Sequence, residues 1–316
     1  MFKKQSKQVY IIIQENVLRY AAGEPAGFRN GNTYGSLELP AGTIRNGKLE
    51  SAEQFVKVVR KVVEENNWRG RDLICTMPDQ AVTLRQHQVP KQLKREEIKP
   101  FLYTELQHTI QLPFEDPVLD FELLSEGEEE HTILLVAYPG KRVDTFQQAF
   151  KEAGLQPIAA DLASLSLYRL YAKQYEETAA DHLLLLQWNH SGLILTAFHQ
   201  DMPLFIRQSQ SSFGNLQDHM EQDLFYTEET DRAYAYLQEQ LTEIERFMDF
   251  YRYSVMNGES GITKLLISGD YEQLSEVTDE LRQRLQIETV TFERKVMEEL
   301  PLAYADVLGL SMKGEK

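Results

Sequence analysis

The chain has 316 residues, 33 basic and 49 acidic, for a formal net charge of −16, with 42% apolar residues and one cysteine. That length calls for two domains of roughly 150 residues rather than one core, and the apolar content argues against a disordered chain. The negative balance argues against nucleic-acid and anionic-lipid partners, both held by Lys and Arg, and Cys75 alone excludes an internal disulfide or a Cys-based zinc site.

Strands and helices alternate along the chain. Val9–Ile13 and Val17–Ala22 read as two strands joined by a tight turn at Gln14-Glu15-Asn16. Ala41–Leu49 carries Ala-Gly-Thr and Asn-Gly turn signals. Ser51 with Gln54 resembles a capping box, opening a helix whose apolar face is Phe55, Val58, Val59, Val62 and Val63. Leu73–Met77 is a short apolar strand. Val82–Val89 is a strand stopped by Pro90, Lys94–Gln111 a helix, and Val118–Leu124 and Ile133–Tyr138 two further strands. Val143–Ala153 is a helix ended by Gly154. This β-α-β-β-α block reads as a small module inserted into a larger domain. Asp161 is placed to cap a helix over Leu162–Tyr175. A second strand–turn–strand, His182–Trp188 and Leu193–His199, echoes the opening hairpin, and Leu204–Arg207 follows it. The tail of the chain reads as a helix over Thr227–Tyr253, a strand at Lys264–Ser268, a helix over Tyr271–Gln286, a strand at Glu288–Phe292 and a helix from Tyr304.

Charge is uneven: residues 217–246 hold nine acids against two bases, whereas residues 41–100 hold twelve bases against eight acids. No secretory leader or membrane-spanning run is expected, because the apolar runs are far shorter than the roughly 20 residues a bilayer requires. The seven histidines form no HxH or HExxH pair, so no metal site is expected. Ser164, Ser166 and Ser191 lack a nucleophile elbow, and Cys75 reads as a small buried hydrophobe.

Several phrases, in this order, resemble the type IV pilus assembly PilM family, actin-like ATPase homologues related to the division protein FtsA. They are Leu39-Pro-Ala-Gly-Thr-Ile-Arg-Asn-Gly47, Met77-Pro78, Val89-Pro90, Glu105 through Pro113-Phe114, Leu119-Asp-Phe121, Leu134–Ala137, Ala153-Gly-Leu155 and Asp161. They continue with Pro203-Leu-Phe-Ile-Arg207, Ile244-Glu-Arg246, Phe250-Tyr251, Ile267-Ser-Gly269 and Leu308-Gly-Leu310. The resemblance implies an α/β, actin-like (ribonuclease H-like) two-lobe fold with a small β-α-β-β-α insertion subdomain. The first lobe would run over 1–175, interrupted by the insertion at 78–157, and the second over 176–316.

An actin-like ATPase cradles nucleotide phosphates on two hairpins, each with an Asp-Ile-Gly turn, and the adenosine against a Gly-Gly turn. Here the first hairpin places Ile12-Ile13-Gln14 at that turn, the second Gln187-Trp188-Asn189, and the third place holds Gly269-Asp270. Ile12 offers no hard oxygen to magnesium and Gln187 no charge, while Gln14 carries a Cβ where a phosphate should approach and Trp188 and Asn189 crowd the second loop. No other phosphate loop is present. No cofactor is therefore expected, ATP with magnesium is disfavoured, and the chain reads as a pseudo-ATPase rather than an enzyme.

The resemblance further implies a groove between the first lobe and the insertion that takes the cytoplasmic N-terminal tail of a PilN-like inner-membrane protein. Candidate groove residues are Pro78, Leu84, Arg85, Val89, Pro90, Tyr103, Leu106 and Gln107. The expected role is a cytoplasmic scaffold of a type IV or competence-type pilus, held at the inner face of the membrane by its partners, including other pilus assembly proteins. Alternatives are an active actin-like ATPase that switches partner binding, or an FtsA-like division adaptor. A sugar kinase of the same superfamily would need a catalytic aspartate in the cleft, for which Asp161 is the one candidate.

Overall fold

The computed structural model describes residues 8–23, 33–106, 108–176, 178, 180–209, 229–295, 297 and 300–313, with backbone alone for 229–233. β1 (Gln8–Ile13) and β2 (Val17–Gly23) form the opening hairpin, closed by a Gln14 N–H to Val17 carbonyl bond of 3.0 Å. β3 (Thr33–Glu38) pairs with β2. A miniature hairpin, β4 (Ile44–Arg45) and β5 (Lys48–Leu49), turns at Asn46 and Gly47, whose φ values of 48° and 67° suit the two-residue turns favoured by Asn-Gly. α1 (Ala52–Glu65) buries Phe55, Val56, Val59, Val62 and Val63. Ser51 makes no side-chain cap; Gln54 instead accepts a hydrogen bond from the Thr43 hydroxyl at 3.0 Å. β6 (Asp72–Met77) then enters beside β1 in parallel.

β7 (Thr83–Pro90), α2 (Arg95–Glu105), β8 (Pro117–Glu126) and β9 (Glu130–Pro139) build a separate antiparallel sheet in the order β7-β9-β8. Its core is Val89, Ile98, Leu102, Ile110, Leu119, Ile133, Leu135 and Ala137. α2 stops short of the expected Gln111. The Glu105 carbonyl accepts from the N–H groups of His108, Thr109 and Ile110, turning the chain so that Ile110 enters this core. α3 (Gly140–Ala153), the helix expected to complete the module, packs elsewhere. Its Phe146, Ala149, Phe150 and Ala153 join Phe55, Val59 and Leu73 in the core of the first sheet.

β10 (Gln156–Leu162) completes the first sheet, in the order β10-β6-β1-β2-β3, and α4 (Ala163–Gln174) follows. The second sheet repeats that order. β11 (His182–Asn189), β12 (Gly192–His199) and β13 (Met202–Ser209) are antiparallel. After α5 (Glu229–Phe250) come β14 (Lys264–Ser268), α6 (Leu274–Leu285), β15 (Glu288–Val290) and α7 (Ala305–Ser311). The spatial order is β13-β12-β11-β14-β15, with β14 parallel to β11 and β15 parallel to β14. Each half is thus a hairpin-led sheet followed by parallel strands separated by helices.

α4 and α7 lie together between the sheets. Their apolar faces share one core with Tyr10, Ile12 and Ala21 of the first sheet and Leu183, Leu185, Phe198 and Leu266 of the second. Among the described residues no helix is long and apolar enough to cross a membrane, and no group of three or more His, Cys, Asp or Glu side chains could hold a metal ion. Cys75 is buried in β6, and burial pushes its thiol up to about 12, so it is inert as a nucleophile.

Candidate functional site: the cleft between the two hairpins

The registers of the two hairpins coincide. Gln14 follows β1 and bonds to Val17 across its turn, and Asn189, paired with Gly192, ends the corresponding strand of the second. Ile12 pairs across the first hairpin with Arg19, and Gln187 across the second with Ile194. Direct cross-strand partners point to the same face of a sheet. Arg19 therefore projects beside Ile12, the position where a metal-positioning aspartate would be expected.

Arg19 is 3% exposed. Its Nε and Nη2 donate to the Asp306 carboxylate on α7, with Nη2 to Oδ2 at 2.6 Å, and its Nη1 donates to Asp270 Oδ2 at 2.6 Å. Burial disfavours the charge on Arg19, but Asp306 and Asp270 outweigh it and its pKa rises above the ordinary value. Asp270 Oδ1 in turn accepts from the His190 backbone N–H at the tip of the second hairpin, 3.0 Å away. With its amide turned to satisfy the network, Gln14 accepts from Arg19 and donates to Asp270 at 3.3 Å.

The third segment has collapsed onto the second hairpin. Gly269 has a φ of 147°, and a Cβ there would lie 1.8 Å from the Trp188 carbonyl oxygen. The same carbonyl accepts from the Tyr271 N–H at 3.3 Å. The rings of Trp188, Tyr236 and Tyr271 surround one another at centroid distances of 6.0 to 6.3 Å. On the first hairpin, Glu15 accepts from the Gly47 N–H at 3.2 Å, and the Asn16 carbonyl from the Leu39 N–H at 2.8 Å. Ile13 N–H donates to Thr76 Oγ1 at 3.0 Å. These backbone groups are engaged within the chain.

This residue set does not fit a magnesium nucleotide. Ile12 is fully buried and has no oxygen, Gln187 is buried and neutral, and a guanidinium stands where a hydrated cation would need oxygen ligands. Asp270 is committed to Arg19 and His190.

Asp161 does not cap α4, whose N-cap position is Leu162. Its Oδ1 accepts from the Leu162 N–H, and its Oδ2 is held by Arg169 and, at 3.4 Å, by Lys313. The first turn is met instead by a distant residue, Asp79, whose Oδ1 accepts from the Ser164 N–H at 3.5 Å and from the Ser164 hydroxyl at 3.0 Å. Burial pushes Asp79 up to about 7. Asp161 is thus paired with two cations, Arg169 and Lys313.

The candidate groove residues divide. Pro78 is buried at the junction between the first sheet and the inserted one, where its carbonyl accepts from Tyr138 Oη at 3.0 Å. Val89 is fully buried and Leu106 packs on the same inserted core, so neither presents a side chain to a partner as expected; both support the surface from beneath. Tyr103 is 42% exposed, and its hydroxyl bridges the edge of β8, donating to the Pro117 carbonyl and accepting from the Leu119 N–H, both at 3.3 Å. Leu84 and Pro90 are half-buried on β7 and Arg85 is exposed there. Gln107 lies outside the described residues. β7 pairs with β9 on one side; its other edge passes β13 of the second sheet with no ladder between them among the described residues.

Arg19, Asp306 and the Trp188–Tyr236–Tyr271 cluster were not legible as site residues. The one available signal was an arginine in an otherwise apolar strand, which takes meaning only once the hairpin register is known.

Comparison with known proteins bears on this geometry. The sequence profile described as type IV pilus assembly protein PilM matches residues 24–233. No curated protein matches in sequence. Among solved structures, a PilM–PilN type IV pilus biogenesis complex is 22% identical with a TM-score of 0.73, covering 98% of this chain and 99% of that one. The ethanolamine utilization protein EutJ of Carboxydothermus hydrogenoformans is 8% identical with a TM-score of 0.53, over 99% and 91%. MreB5 of Spiroplasma citri bound to ADP is 6% identical with a TM-score of 0.52, over 98% and 97%. The fold is therefore that of the actin-like ATPases.

Proposed function

The chain belongs to the type IV pilus assembly PilM family, and from that premise we propose that it is a scaffold rather than an enzyme, recruited from the cytoplasm to the inner face of the membrane by a PilN-like tail. The observation that carries the non-catalytic part is the Arg19–Asp270–Asp306 network standing in the cleft, with Ile12 and Gln187 beside it. Magnesium ATP is expected to leave the melting temperature unchanged at millimolar concentration. A native-state ligand at 100 times its Kd would add about 2.7 kcal/mol, a shift of several degrees. Such a shift favours the nucleotide-switched reading instead.

The partner part is supported by a solved relative that is itself a PilM–PilN complex. An extended segment can lie along the exposed surface of β7, with Leu84 and Pro90 offering apolar contact and Arg85 a charge. A peptide of the PilN-like cytoplasmic tail, titrated by calorimetry, is expected to bind the wild type and to bind Arg85→Glu about tenfold more weakly, as loss of a rim charge allows. Equal affinity for the two proteins removes Arg85 from the surface, and no binding to the wild type removes the tail as partner.

A further inference from the structure

We propose that Arg19 is a built-in clasp, holding both hairpin tips and the turn after β14 together across the interlobe cleft, in the place where an actin-like cleft would hold a nucleotide and its metal. The proposal rests on the reading that this cleft takes no nucleotide, and goes beyond it by naming what joins the walls instead.

The geometry is that of a fork. Nε and Nη2 of one guanidinium engage a single carboxylate, Asp306, leaving Nη1 for a second, Asp270. A planar guanidinium with five fixed donors can do this; an ammonium presents a point charge and no fork. The partners are 287 and 251 residues away in sequence, so neither contact serves local structure. Arg19 belongs to the first sheet, and α7, which carries Asp306, packs against α4, β1 and β2, while Asp270 follows β14 of the second sheet, so the Nη1–Asp270 contact crosses between the two halves. Each carboxylate is also tied to its own backbone surroundings. Asp306 Oδ1 accepts from the Val307 N–H at the start of α7, and Asp270 Oδ1 from the His190 N–H. Gln14 brings in the first hairpin turn through Arg19 and Asp270. One cation thus gathers four segments that a phosphate-binding cleft would leave open for its ligand. A guanidinium between two aspartates also excludes a competing divalent cation from them. Its burial makes the contact insensitive to salt, unlike the exposed Arg282–Asp279 pair.

The test is amide hydrogen exchange on the full chain, comparing wild type, Arg19→Gln, Arg19→Lys and the surface control Arg282→Gln, each with and without magnesium ATP. Exchange in Arg19→Gln is expected to rise at least tenfold over residues 13–18, 188–193 and 268–272. The strand cores at 183–186 and 133–137 and the Arg282→Gln control should stay at wild-type protection. Arg19→Lys should restore less than half of the lost protection. Should Arg19→Gln fail to fold, Asp270→Asn, at the more exposed end of the network, is expected to loosen the same three segments. Unchanged exchange in these segments, or a uniform rise across the chain, overturns the clasp. Protection of the wild-type segments by magnesium ATP overturns the nucleotide-free reading on which it rests, an outcome separately visible from the variants measured without nucleotide.

Discussion

Alanine at position 309 is expected to destabilise the protein by about 3 kcal/mol and to lower its melting temperature by roughly 5–10 °C. α7 crosses α4 so closely that a Cβ on Gly309 would sit 1.8 Å from the Ser166 carbonyl oxygen and 2.5 Å from its carbonyl carbon. Both obstacles are helix backbone, so no side-chain rotation relieves them. In isolation the change would favour α7, because glycine in a helix interior is worth about 1 kcal/mol less than alanine. The contact outweighs that preference because separating the helices loosens the core on either side. Leu167 and Leu170 of α4 and Leu308 and Leu310 of α7 share it with strands of both sheets. The Arg169 side chain, which donates to the Gly309 carbonyl at 3.2 Å, would also be displaced. Thermal melting checks this against Gly261→Ala, where the nearest atom is 3.8 Å away and a change within about 0.5 kcal/mol is expected. Equal melting temperatures for the two variants would mean that the helices part at little cost.

Asparagine at position 79 is expected to stabilise the protein above neutral pH and to do little near pH 4. Asp79 is 4% exposed, and burial raises its carboxyl from the ordinary carboxylate range to about 7. Because the folded-state pKa is raised, the protonated carboxyl is the form that folding favours. The contribution is full below the unfolded pKa and is lost as pH rises through about 7, when a proton must be given up inside the fold. A separation of that size corresponds to roughly 4 kcal/mol at pH 8. Asparagine keeps a carbonyl oxygen for the Ser164 hydroxyl and carries no charge. Urea unfolding at pH 4, 6 and 8 should therefore show the variant gaining on the wild type as pH rises. A constant difference across that range would show that Asp79 is not titrating there.

Much of the fold follows from local pattern. Apolar runs broken by Gln14–Asn16 and by His190–Ser191 form hairpins because strand pairing and tight turns are specified within a few residues. The repeat of the hairpin is visible for the same reason. The alignment of Ile12 and Gln187 with the phosphate positions also rests on short segments, and the hairpin registers bring those positions into correspondence. Helix ends were less legible. α2 ends early because Ile110 is drawn into a core whose other members lie on β7, β8 and β9. The capping pattern at Ser51 was outcompeted by Thr43, which takes the Gln54 side chain.

By itself, then, the sequence determined the alternation of elements, the doubled hairpin and the burial of Cys75. All of these depend on residues close together in the chain. Tertiary structure decided the rest. It moved α3 from the inserted module to the first core, buried Val89, paired Asp161 with Arg169 and Lys313, and set Asp79 against the first turn of α4. It also converted Arg19, a lone charge in an apolar strand, into the centre of the cleft. Each of these outcomes depends on which distant surfaces meet. Charge pairing and burial are properties of that meeting, and no local periodicity records them.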